Sequence, residues 1–211
     1  MQYRVLGWAP DGPRLRLDYR AFAYAGKITT PATGVSVATD PDAAPTETLE
    51  LEGPDPEPLP ASATGDGWID PPADPVVAAV AHNADRTDET TLWCRYVTVR
   101  SDRRGEGLGA RLLRFTADRA ATAGYETARI AVNNPFSYGA ASKAGFASTG
   151  RTTGLAELVL ERSTTDATPP DPETYRRGLA VFRDRDDLAP EEAAYVDRHL
   201  DGDPPDLIAP E

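Results

Sequence analysis

The sequence predicts an α/β (α+β) domain with flanking helices, followed by a C-terminal helical extension. Three observations carry that expectation. Two apolar runs of strand length, Val76–His82 and Leu92–Arg100, flank the turn cluster Asn83–Asp88, which reads as a hairpin. The second run leads into a glycine-rich turn and then a segment, Gly109–Ala123, with apolar residues at helical spacing. Past a Ser/Thr/Pro-rich stretch, two further segments are amphipathic with helical period.

Tyr3–Trp8 and Arg14–Asp18 read as short strands around the turn Ala9–Pro13. Asp18 is placed to cap a helix over Tyr19–Ala25, with Gly26 just past its end. Gly34–Thr39 is a short apolar strand. Residues 40–74 are rich in Pro, Asp and Glu without periodicity and read as an acidic insertion. After the hairpin and the helix, Gly124 supplies a stop. Thr127–Val132 is a strand, Pro135 opens a short helix that ends at Gly145, and Phe146–Ser148 and Leu155–Leu160 are strands flanking a turn at Gly150–Gly154. Residues 163–170 form the linker. Pro172–Arg185 and Pro190–Leu200 are the two C-terminal helices, and a tail runs from Asp201. The expected division is therefore a domain over 1–162, a linker over 163–170 and an extension over 171–211.

Composition narrows the function. The formal net charge is −12, a field that repels nucleic-acid phosphates and anionic membranes. Lysine occurs only at Lys27 and Lys143, and the acidity resembles that of proteins from salt-in halophiles. The single cysteine, Cys94, excludes an intramolecular disulfide framework and a cysteine-rich zinc site, and no metal site is expected. No signal-peptide pattern and no long apolar run are present, so a cytoplasmic protein without a membrane span is expected.

The chemistry concentrates in the stretch from Val97 to Ala110. A strand there runs into Arg103, Arg104 and closely spaced glycines that open a helix. Glycines let backbone N–H groups approach an anion, and the helix N-terminus adds unpaired donors and partial positive charge. The pattern is a pyrophosphate cradle or a solvated turn with two arginines. It lacks the Gly-Lys-Ser/Thr of a P-loop. A dinucleotide fingerprint matches formally at Gly105, Gly107 and Ala110, but the preceding strand belongs to a hairpin and the next one ends in Asn133-Asn134.

Arg104-x-x-Gly107-x-Gly109 resembles the R/Q-x-x-G-x-G/A loop of the GNAT superfamily of N-acetyltransferases, and Asn134 through Lys143-Ala144-Gly145-Phe146 resembles that superfamily's second signature. The likeness spans about Val76 to Leu160. It implies a GNAT-like mixed, mostly antiparallel central sheet and acetyl-CoA as cosubstrate. Main-chain groups at Val97 and Val99 would hold the pantetheine arm. The amides of Gly105, Glu106, Gly107, Leu108, Gly109 and Ala110, with Arg104, would hold the pyrophosphate. Asn134, Phe136 and Tyr138 would line the CoA wall, unless the two aromatics belong only to a short helix's core or surface.

The implied reaction is direct acetyl transfer to an amine of a small molecule or peptide. It needs a positioned amine, a route for its proton, and a donor for the leaving thiolate and oxyanion; the Val97 N–H suits the oxyanion. The family's acid, a tyrosine four residues before the Gly of Gly-Phe, is Ala141 here. Tyr138 and Tyr96 are the substitutes within reach, and Glu157, Glu89 and His82 are candidate bases. Arg95 alternates with Trp93 and Val97 along the strand, where a structural salt bridge is expected ahead of a contact to an acidic substrate group. The C-terminal helices are expected to cover the acceptor side or to form a contact with a second copy of the chain. The alternative to catalysis is a non-catalytic acetyl-CoA-binding sensor or interaction protein, and a dinucleotide-dependent oxidoreductase is the third reading.

Overall fold

The computed structural model describes residues 1–28, 32–53, 68–69 and 72–210. Nearly half of the expected acidic insertion, residues 54–67 and 70–71, lies outside the described residues.

Among the described residues, seven strands form one sheet in the order β1-β3-β5-β6-β7-β9-β8. In chain order these are β1 (Gln2–Gly7), β3 (Gly34–Thr39), β5 (Val76–Ala84), β6 (Thr91–Val99), β7 (Thr127–Val132), β8 (Ala147–Thr152) and β9 (Leu158–Ser163). Two-residue strands β2 (Arg14–Leu15) and β4 (Trp68–Ile69) pair separately in parallel. The ladders of the large sheet are antiparallel except for β6 with β7. This is the expected mixed, mostly antiparallel sheet. It overturns the dinucleotide reading, which needs an open, mostly parallel sheet around its βαβ unit, whereas β6 and β7 are the one parallel pair of the large sheet among the described residues.

Helices cover both faces. On one side, α1 (Ala25–Ile28) packs with Leu15, Phe22, Val35, Val37 and Ala79. The expected helix over Tyr19–Ala25 is instead a run of turns, and Gly26 lies inside α1 rather than beyond it. The cause is local: the Asp18 carboxylate binds the backbone and guanidinium of Arg20, and Tyr24 adopts a left-handed φ of 60°. On the other side, α2 (Leu108–Ala120) buries Leu112, Leu113, Phe115 and Ala117 against Val77, Val80, Cys94 and Ile130. A 3₁₀ turn, Ala121–Ala123, continues it, and Gly124 at φ 88° ends it in the left-handed region, where a Cβ would be strained. Burial pushes the Cys94 thiol up to about 12, so it behaves as a small apolar core residue.

The C-terminal helices α4 (Pro172–Arg183) and α5 (Pro190–His199) join this second face. Tyr175, Leu179, Phe182 and Val196 belong to the same core cluster as α2. They pack on α3 (Pro135–Lys143) and β8, away from α1. Two helix glycines set the docking. A Cβ at Gly178 of α4 would collide with the Tyr138 ring, and one at Gly139 of α3 would collide with the Tyr195 hydroxyl. Each glycine is a notch for a tyrosine of the neighbouring helix. A mid-helix glycine costs about 1 kcal/mol relative to alanine, and close approach of this kind is the compensation.

Candidate active site

Strand β6 decides the geometry. Its pairing with β7 runs from Thr91↔Thr127 to Cys94↔Ile130 and stops there. Beyond that point β7 stays with β9, through Ala131↔Val159 and Val132↔Leu158. The two parallel strands part, and the β7-facing main chain of Arg95–Val99 has no ladder partner among the described residues. The pairing of β6 with β5 shifts between Ala81↔Tyr96 and His82↔Cys94, leaving Arg95 as the extra residue of a β-bulge. The bulge reverses the alternation of faces along the rest of the strand. Cys94 and Val97 both meet the α2 core, whereas Tyr96 packs on the α1 side.

A cleft of about 730 Å³ opens where the strands part. One wall is β6 from Arg95 to Val99; the opposite wall is Ile130–Val132 of β7, then Asn133 and Asn134, with Phe136, Gly139, Ala140 and Lys143 of α3. Its loop end is formed by Arg104, Gly105, Gly107, Leu108, Gly109 and Ala110. Ala23, Tyr24 and Glu157 also line it, as does Tyr195 of α5.

The loop end is built for an anion. Gly107 is the N-cap of α2 at φ 79°, ψ 7°, and no side chain caps the helix, so its first-turn N–H groups are free. At Gly109 an added Cβ would sit 3.4 Å from Val99 Cγ2, so the helix starts close against the strand. The two loop arginines divide the work. Arg103 is held by Asp40 (2.9 Å) and Glu106 (2.8 Å) and is structural. Arg104 and Lys143 line the cleft and have no carboxylate partner among the described residues. Glu106 does not line the cleft, since its carboxylate is turned to Arg103; only its main chain remains a candidate. The C-terminal tail crosses this end. Ile208 N–H donates to the Lys143 carbonyl (2.9 Å), Arg114 donates to the Ile208 carbonyl (2.8 Å), and Ile208 Cδ1 approaches Gly107.

Several sequence candidates move. Tyr138 is fully buried, faces α4 and donates to the Tyr175 carbonyl (2.9 Å), so it is neither CoA wall nor cleft acid. Ala141 is packed in the core beside it. His82 is fully buried, tilted against the Trp8 ring and bonded to Ser36 Oγ (3.1 Å); burial pushes its imidazole down to about 4, and it does not line the cleft. Glu89 is an exposed turn residue outside the cleft. Asn134 lines the cleft, yet its side chain caps α3 by accepting from Ser137 N–H (2.8 Å). Val97, Val99, Phe136, Tyr96 and Glu157 line the cleft.

Tyr195 was missed. Its ring lies edge-on to Phe136 (5.1 Å) and stacks on His199 (4.2 Å), which sets its hydroxyl over the Gly139 notch at the cleft wall. Burial raises its pKa above the ordinary tyrosine value. The one signal in sequence was Gly139 itself, an unforced glycine in mid-helix.

The family model for the acetyltransferase (GNAT) family matches residues 38–146, just over half of the chain. The chain belongs to the GNAT family of acetyltransferases. No curated protein matches it in sequence. Solved structures similar to this GNAT chain include a GNAT-family acetyltransferase from Desulfovibrio desulfuricans (14% identity, TM-score 0.39, covering 44% of this chain and 66% of that one). An N-acetyltransferase from Staphylococcus aureus is similar at 15% identity and TM-score 0.41, covering 63% and 68%. The PaiA N-acetyltransferase of Thermoplasma acidophilum, solved with coenzyme A, is similar at 13% identity and TM-score 0.36, covering 42% and 54%. The matches thus span under two thirds of the Desulfovibrio and Thermoplasma chains.

Proposed function

We propose that the protein transfers an acetyl group from acetyl-CoA directly to an amine. The observation that carries this reading is the parting of β6 from β7 beside an uncapped helix N-terminus and two unpaired cations. A long thioester cosubstrate with a charged pyrophosphate end fits that arrangement. Arg104, Lys143 and the amides of Gly105–Ala110 would hold the phosphates, and the free main chain of Val97 and Val99 the amide-bearing arm. When bound, acetyl-CoA supplies an activated acyl carbon. The Val97 N–H points along an unpaired strand edge and is available to an oxyanion.

Proton handling falls to residues at the other end. Glu157 is the cleft carboxylate among the described residues; it takes the amine's proton, directly or through water, and the Tyr96 hydroxyl, on the same cleft, is a relay that gives up one proton as it receives another. Tyr195 replaces Tyr138 in this reading. It stays protonated at neutral pH and offers its proton to the departing thiolate from the α3 wall.

Calorimetric titration with acetyl-CoA, CoA and NAD, followed by an amine panel, tests the reading. Micromolar acetyl-CoA binding with product formation supports it. Folded protein that binds no CoA overturns it, and saturable binding without turnover returns the sensor alternative.

A further inference from the structure

One end of the cleft carries an arginine with no carboxylate at ion-pair distance among the described residues. Arg95 is the bulge residue of β6 and lines the cleft that opens where the two strands part. The salt bridge expected for it is absent among the described residues. Its Nε donates to Asn83 Oδ1 (2.8 Å), a neutral partner, and its guanidinium lies over the Trp93 ring at 4.4 Å.

The carboxylates nearby are already taken. Asp85 binds Arg129 and Thr87, and Glu161 binds Arg129 and Arg151. Elsewhere in this acidic chain the well-buried arginines have carboxylates, as Arg100 has Asp102 and Arg162 has Asp118. A half-buried guanidinium with two free terminal nitrogens is a fork for a carboxylate, since its planar donors match both oxygens.

Arg95 is also too far along β6 to serve the pyrophosphate. It lies four residues before Val99, about 13 Å at roughly 3.3 Å per residue, and the loop has its own cations. Around it stand acceptor-side groups. Tyr24 is held over Tyr96 at 5.9 Å by a left-handed φ of 60°, strained for a non-glycine residue. Glu157 lines the same cleft and suits a nearby amine.

We infer that the acceptor is an amine that also bears a carboxylate, as an amino acid does, and that Arg95 anchors that carboxylate. The inference rests on the acetyl-transfer reading above. It names Arg95 as a specificity-determining residue and the pair Arg95 and Glu157 as the two poles that orient a zwitterion across the cleft.

The test is calorimetric and does not depend on turnover. Amino acids, their amides and the corresponding decarboxylated amines are titrated into the protein, with and without saturating CoA. The expected result is at least one acid that binds ten-fold or more tighter than both neutral-tail partners. Arg95→Met should remove that gap while leaving CoA affinity within two-fold, and Arg95→Lys should restore part of it. Thermal unfolding of both variants checks that they fold. Acids that bind no tighter than their amides throughout the panel, or a gap that survives in folded Arg95→Met, overturn the inference. Failure of CoA to bind instead overturns the acetyl-transfer reading, and the acid-against-amide comparison without CoA still decides the role of Arg95.

Discussion

The two ends of the cleft are built by different means. The loop end comes from one continuous stretch, Val97 to Ala110, with Lys143 added from α3. Its donors are mainly main-chain groups whose positions follow from glycine spacing and a helix start. The other end, where the proposed acceptor would sit, draws on Tyr24, Arg95 and Tyr96, and Glu157, which come from three separate segments of the chain. Its chemistry depends on side chains, a bulge and a strained tyrosine. A site made of backbone tolerates change in side chains and is legible from local pattern. A site made of side chains from distant segments is neither.

The largest expected effect tests the backbone half of this contrast. Gly107→Val places a β-branched residue at φ 79°, in the left-handed region. That conformation costs about 1–2 kcal/mol for an ordinary L-residue, so the loop should turn away from it and re-aim its amides. Acetyl-CoA affinity should fall on the order of a hundred-fold, equivalent to about 3 kcal/mol. Calorimetry on folded protein measures it, and unchanged affinity would break the claim that this turn is the cradle.

The next effect belongs to a side chain that enters from outside the family core. Tyr195→Phe should lower kcat about ten- to hundred-fold, in the range at the low end of general acid catalysis, and leave the KM for acetyl-CoA unchanged. Burial raises the tyrosine's pKa, so the donor is lost only as pH climbs above the ordinary tyrosine range. The wild-type pH–rate profile should show that alkaline fall and the variant should not. Equal loss of kcat and of CoA affinity would make Tyr195 a packing residue instead.

A smaller effect separates the two neighbouring arginines. Arg104→Ala should weaken acetyl-CoA about ten-fold, the value of one charge-assisted contact, and flatten the salt dependence of binding. Arg103→Ala should change CoA affinity less than about three-fold, because its donors are spent on Asp40 and Glu106. A reversal of that order would mean that the sequence's adjacent arginines exchange roles when ligand arrives.

Legibility in the sequence divides along the same line. The hairpin, the helix after the loop and both C-terminal helices were legible because each has a local period. The bulge was not: Trp93, Arg95 and Val97 alternate in sequence as if the strand were regular, and only the pairing with His82 and Ala81 reveals the extra residue. The helix near Tyr19 was misplaced because the cap chemistry of Asp18 is spent on a turn with Arg20. Tyr138 and Tyr195 exchanged places because side-chain direction on α3 is set by the notches at Gly178 and Gly139, a packing fact with no signature in spacing.

Asn134 gives the smallest effect and the finest cut between the two kinds of site. Sequence placed it on the CoA wall, and its residue does line the cleft. Its side-chain oxygen, however, accepts from Ser137 N–H, and its amide donates to Asn133 Oδ1 (3.0 Å). The polar atoms that would recognise a ligand are thus engaged in starting α3. Asn134→Ala should cost about 1 kcal/mol of stability, a Tm drop of roughly 2–4 °C for a chain of this size. Asn134→Asp should keep most of that stability, since a carboxylate also caps a helix. CoA affinity should move less than about three-fold in both. A large loss of CoA affinity with unchanged Tm would instead assign the side chain to the cosubstrate, and the α3 end of the cleft would then join the side-chain half of the contrast.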